Sequence, residues 1–122
     1  MAVATGLFTF GLNKDESMTA KNWFVHHVYF WLKNPDSSED LQKLIDGLKK
    51  LSKAPTIKTF HIGKPAGTNR EVIDRSYAVS WLLIFDSKEQ QDKYQVDPVH
   101  LKFVEECQHL WERVVVYDSV DI

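Results

Sequence analysis

The chain has 122 residues, 43% of them hydrophobic and 26% charged, which is enough for one globular domain with a real core and too apolar for a disordered segment. Its formal net charge of -2 at pH 7 comes with no run of Lys or Arg, which excludes the electrostatic footprint of a protein that binds nucleic acid or an anionic membrane. The single cysteine, Cys107, excludes an intrachain disulfide and fits a reducing, cytoplasmic compartment.

In chain order, residues 2–12 are mildly apolar, have no basic residues before them and are too short to span a bilayer, so they fit neither a signal peptide nor a transmembrane helix. Residues 13–21 are polar, and Met18 offers an alternative start. Residues 1–22 therefore read as a flexible arm, and residues 23–122 as the folded domain. In the arm, Leu7 and Thr9 alternate with Phe8 and Phe10, a pattern that suits an added strand.

Residues 24–33 are dense in Val, Phe, Tyr and Trp and stop at Asn34-Pro35, which predicts a first strand. Ser37 or Ser38 then caps a helix whose Leu41, Leu44, Ile45, Leu48 and Leu51 share one stripe, ending before Pro55. A shorter strand over residues 56–63 follows. The connection over residues 63–75, with Pro65, Gly67 and Asn69, is long enough to be functional. Its Gly63-Lys64-Pro65-Ala66-Gly67-Thr68 start lacks the ending and the following helix of a phosphate-binding loop, and reads as a turn-rich loop. A strongly apolar strand over 76–85, a short helix over 87–96, a helix over 98–112 and a last strand over 113–120 complete the chain.

The break between the last two helices carries the clearest chemical signal. Pro98 ends the helical stretch before it and suits the first turn of a new helix, with Asp97 as its N-cap. At about 100° per residue, His100 then falls on one stripe with Phe103, Val104, Cys107 and Trp111, while Lys102, Glu105, His109 and Glu112 fall on the other. His100 therefore points inward, close to Tyr94. In the first strand, His26 shares a face with Phe24, Val28 and Phe30, an apolar set suited to lie under helices, so His26 and His100 can meet. Imidazoles in an apolar pocket are held neutral, because burial disfavours charge and each charge disfavours the other. A neutral His serves as a general base near pH 7, whereas the plainer reading has the two rings tying helix to sheet.

The order β-α-β-β-α-β in about 100 residues is the ferredoxin-like, α+β arrangement, four antiparallel strands with helices on one face. Such a sheet should alternate apolar and polar residues if one face met water. It does not: Val25, His27, Tyr29 and Trp31 oppose the His26 set, and Leu82 and Ile84 oppose Trp81, Leu83 and Phe85. Both faces need cover, which predicts a homodimer packed sheet on sheet as a dimeric α/β barrel. His27 faces away from His26, so the pair cannot chelate a metal from a regular strand. No metal and no cofactor are expected.

The strand from Val25 through His26-His27-Val28-Tyr29-Phe30-Trp31-Leu32 to Lys33, the Tyr94, Asp97-Pro98-Val99-His100 element and the closing Val114-Val115-Val116-Tyr117-Asp118 resemble, in order and spacing, the stress-responsive dimeric α/β-barrel (Dabb) family. The resemblance covers residues 23–120 and implies a ferredoxin-like protomer and an obligate dimer. Plant polyketide cyclases related to the family close an aromatic ring by proton transfer, and their catalytic positions match His26, Tyr94 and His100. Those cyclases also use a Tyr in the first helix, and this chain has none between Leu41 and Leu51. Two function classes stay open: a stress-associated homodimer that holds a small apolar or aromatic ligand at most, and a cofactor-free acid-base enzyme, cyclase-like or oxygenase-like. The sequence favours the first.

Overall fold

The computed structural model describes residues 22–122, so the arm expected at 1–22 lies outside the described residues apart from Asn22. The elements are β1 (Phe24–Leu32), α1 (Ser38–Leu51), β2 (Thr59–Gly63), β3 (Val79–Phe85), α2 (Lys88–Val96), α3 (Pro98–Cys107), a 3-10 turn (Gln108–Leu110) and β4 (Trp111–Val120). One antiparallel sheet holds them in the order β2-β3-β1-β4, the ferredoxin-like topology.

β1 is central, and its composition explains why: branched and aromatic side chains fit a pleated surface covered on both sides. Every second residue, Phe24, His26, Val28, Phe30 and Leu32, is buried on the helix side. Val79, Trp81, Leu83 and Phe85 of β3 extend that face, and Leu44, Leu48 and Leu51 of α1 with Phe103 and Cys107 of α3 close over it. The Ser37 side chain caps α1, accepting from the Asp40 backbone N–H at 3.1 Å. On the other side of the sheet Val25, His27, Tyr29, Trp31, Leu82 and Ile84 stay half-buried, and none of the helices among the described residues covers them.

The expected boundary at the end of the chain is corrected. The helix predicted over 98–112 stops at Cys107, and Trp111 opens β4 instead of closing the helix. The reason is tertiary: the Lys33 backbone N–H donates to the Leu110 carbonyl at 2.9 Å, and Trp111 pairs with Leu32 beyond a register shift at Trp31/Leu32. Strand pairing captures residues whose helical spacing was fortuitous. The strands predicted over 56–63 and 76–85 are also shorter at their starts.

Candidate functional site

β1 delivers His26 to the space under the helices, and the α2–α3 break delivers the other two groups. Asp97 leaves the helical region (φ -66°, ψ 138°), and its side chain accepts from the Val99 N–H at 2.8 Å, with Pro98 in the first turn of α3. The resulting bend places Tyr94, from the end of α2, next to His100, with ring centroids 4.8 Å apart. The His26 ring also lies against Tyr94, with centroids 6.2 Å apart. The three predicted residues share one cavity of about 190 Å³, walled chiefly by Val28, Phe30, Leu51, Trp81, Phe103, Trp111, Val114 and Val116.

Each polar group has a defined partner. His26 is buried and its Nδ1 lies 2.6 Å from Asp118 Oδ1, its registered neighbour on β4. The carboxylate keeps the proton on Nδ1 and makes Nε2 the basic nitrogen. His100 donates from Nδ1 to the Gln95 carbonyl at 3.1 Å, which likewise leaves Nε2 as acceptor. Burial, first of all, holds its pKa below the ordinary histidine value, with the Gln95 bond opposing. Tyr94 is 1% exposed, and burial pushes its phenol far above the usual range, so it stays protonated. Its oxygen accepts from the Trp81 indole N–H at 3.3 Å, which frees the phenolic proton for another acceptor. His26 and His100 do not bond each other, so the pair does not act as a direct tie between helix and sheet.

Sequence reasoning missed Asp118, Trp81 and the Gln95 carbonyl as parts of the site. Asp118 carried a readable signal: it follows Val114 and Val116 on the helix-side face of β4, an acid where alternation calls for an apolar residue. The remaining histidines lie elsewhere: His61 and His109 are exposed, and His27 sits on the open face, its Nε2 2.8 Å from Ser80 Oγ. No residue of the 64–78 connection lines the cavity. Among the described residues no group of three or more His, Cys, Asp or Glu side chains is arranged to hold a metal ion, and no helix is long and apolar enough to cross a membrane.

The profile of the stress responsive A/B barrel domain matches residues 24–121. The chain belongs to that family. Among solved structures it is similar to a Dabb family protein with a ferredoxin-like fold from Mesorhizobium loti, 22% identical over 83% of this chain and 98% of that one, TM-score 0.69. It is similar to the hydroxynitrile lyase from Passiflora edulis, 20% identical over 84% and 95%, TM-score 0.71. A dimeric ferredoxin-like protein of unknown function from Thermobifida fusca matches at 17% identity over 83% and 92%, TM-score 0.67. At these identities the likeness speaks for the fold. No curated protein matches the chain.

Proposed function

We propose that this A/B barrel domain protein binds a small, largely apolar molecule carrying a hydroxyl or carbonyl in the His26–Tyr94–His100 cavity and moves a proton on it without a cofactor. The observation that carries this reading is the 2.6 Å bond between His26 Nδ1 and Asp118 Oδ1 at the cavity wall. A ring that merely filled the core would not need a carboxylate, and β1 and β4 are already joined along the whole of β1 by their ladder. A working base needs one, to fix its tautomer and to stabilise the imidazolium that forms. His26 takes the substrate proton at Nε2, and Tyr94 donates its phenolic proton in a hydrogen bond to the substrate oxygen on which negative charge gathers. His100 supplies a second neutral base beside Tyr94. A cavity of about 150 Å³ already admits a benzene ring, so the space suits a one-ring substrate.

The fit is tested with phenols, aromatic ketones and, because one protein of this fold is a hydroxynitrile lyase, aromatic hydroxynitriles. Thermal shift reads binding and product analysis reads turnover, with His26→Gln as the control. Turnover that His26→Gln abolishes supports the reading; a panel that neither binds nor reacts overturns it. Binding without turnover would leave the second reading, a ligand-holding dimer, which the all-apolar contribution of α1 to the cavity, Leu51 alone, favours.

We also infer that the protein is a homodimer whose interface is the sheet face bearing His27, Tyr29 and Trp31, the face that no helix among the described residues covers. The dimeric Thermobifida neighbour supports this assembly. The free, buried Cys107 fits a reducing, cytoplasmic setting.

A further inference from the structure

Trp81 and Tyr94 both line the helix-side cavity, away from the sheet face assigned to the dimer. Each is 1% exposed. Trp81 is registered with Val28 of β1 and Ile62 of β2, so ladders on both sides hold its backbone. Its indole N–H donates to the Tyr94 oxygen at 3.3 Å. A buried indole N–H needs an acceptor, and on that ground alone the contact would be an ordinary bond of the core.

The other half of the pair is not satisfied in the same way. A phenol oxygen has one proton to give, and the approach of the Trp81 N–H turns that proton away from the indole. Among the described residues no group accepts it. A buried donor without an acceptor is destabilising, and the space beside Tyr94 is the cavity. Around it stand His100 of α3, His26 of β1 and, behind His26, Asp118 of β4; α1 adds only Leu51.

We propose that Trp81 is a positioning residue that holds Tyr94 as a donor, so that the cavity takes its ligand as an oxygen anion and prefers the phenolate of an acidic phenol to the phenol itself. That preference rests on the proton transfer proposed for the cavity and names the ligands it suits: phenols and enolisable ketones acidic enough to ionise beside a neutral imidazole. Charge on the ligand oxygen strengthens the Tyr94 bond, and the Trp81 bond strengthens with it, because hydrogen bonds in a chain polarise one another at low dielectric. The step balances within the site: the ligand O–H bond breaks, its proton bonds to His26 Nε2, and Asp118 faces the imidazolium that forms.

4-Nitrophenol reports its own ionisation by colour. Bound to the full chain and titrated by absorbance, it should have a pKa at least about one unit below that of the free probe, a tenfold preference for the phenolate. Tyr94→Phe should abolish most of that shift. Trp81→Phe should lose about threefold of the preference, and because phenol and phenolate share the same enlarged space, lost packing cancels from the comparison. Trp81 is a core residue, so uniform labelling with 5-fluorotryptophan gives a second test without truncation: its N–H is the stronger donor and should lower the bound pKa further. A bound pKa indifferent to the indole, in Trp81→Phe or in the fluorinated protein, overturns the relay, as does a bound pKa at or above that of the free probe; in both cases binding itself leaves the cavity reading standing. A wild type that does not bind the probe overturns the relay and the cavity reading together.

Discussion

Replacing Asp118 by Asn keeps an acceptor beside His26 Nδ1 but removes the charge that supports an imidazolium. Asp118 is half-exposed on an edge strand, so the fold should survive with its melting temperature nearly unchanged. Turnover of any substrate found for the cavity should fall by at least about tenfold, since the partner of a catalytic imidazole sets its tautomer and orientation. A rate unaffected by Asp118→Asn would reduce the His26 bond to a link between strands. His100 makes a different case. Gln at this position can still donate to the Gln95 carbonyl, so His100→Gln should unfold cooperatively and nearly as late as wild type, while turnover falls about 100-fold through loss of a positioned base. It should also flatten the response to acid. Burial lowers the pKa of His100, and of His27 on the other face, so the unfolded chain binds protons that the folded one resists. Stability present at neutral pH is then lost as pH falls through the ordinary value of about 6.5 toward the lowered folded values. Thermal unfolding from pH 7.5 down to 5 should show that loss in wild type and less of it in His100→Gln.

At the scale of elements, the packing of α1 on α3 depends on Gly47. A Cβ there would stand 2.6 Å from Cys107 Sγ and 3.3 Å from the Phe103 ring. Alanine gains about 1 kcal/mol of helix propensity, but overpacking a filled core costs about 1–3 kcal/mol. Cys107 is buried and belongs to the core cluster with Phe103. Gly47→Ala should therefore lower the melting temperature, and the Gly47→Ala, Cys107→Ala pair should lose less than the sum of the single changes. Additive losses would show that the helices separate freely. This contact was not legible in the sequence, where a mid-helix glycine is only a propensity defect. The elements themselves were legible because strong signals mark them: the aromatic and β-branched run of β1, the leucine stripe of α1, and Asp97-Pro98 between α2 and α3. The end of α3 was not, because the helical spacing of Trp111 competes with pairing to Leu32, a partner some 80 residues away. The site divides in the same way. His26, Tyr94 and His100 could be placed by local periodicity, whereas Asp118 and Trp81 join them only through register across the sheet and packing of α2 on β3.

At the scale of the whole molecule, the uncovered face is the feature that a lone protomer leaves unexplained. Its central row runs His61, Leu82, His27, Tyr117 across the four strands, with Ser80 and Tyr29 in the row beside it. Trp31 is a poor place to test the interface by charge, because Arg113 lies against its ring and would pair with a carboxylate introduced there. Leu82 sits in the central row, half-buried, with no lysine or arginine among its registered neighbours. At pH 8, well above the ordinary histidine value of about 6.5, Leu82→Glu should place an unpaired charge in the closed face beside His27 and His61 and weaken association by about 3–5 kcal/mol. Sedimentation at micromolar concentration should then find a folded monomer where wild type is a dimer. A wild type that sediments as a monomer would refute the dimer, and a Leu82→Glu variant that still dimerises would move the interface to another surface. Should the dimer hold, acid should loosen it too. His27 titrates near the middle of that face with His61 as its neighbour and Tyr29, Tyr117 and Ser80 around it, and no carboxylate lies in those two rows. Protonation there adds charge that the closed face cannot solvate, so the dimer dissociation constant should rise as pH falls through the lowered His27 value, below the ordinary value of about 6.5, and His27→Gln should remove most of that dependence.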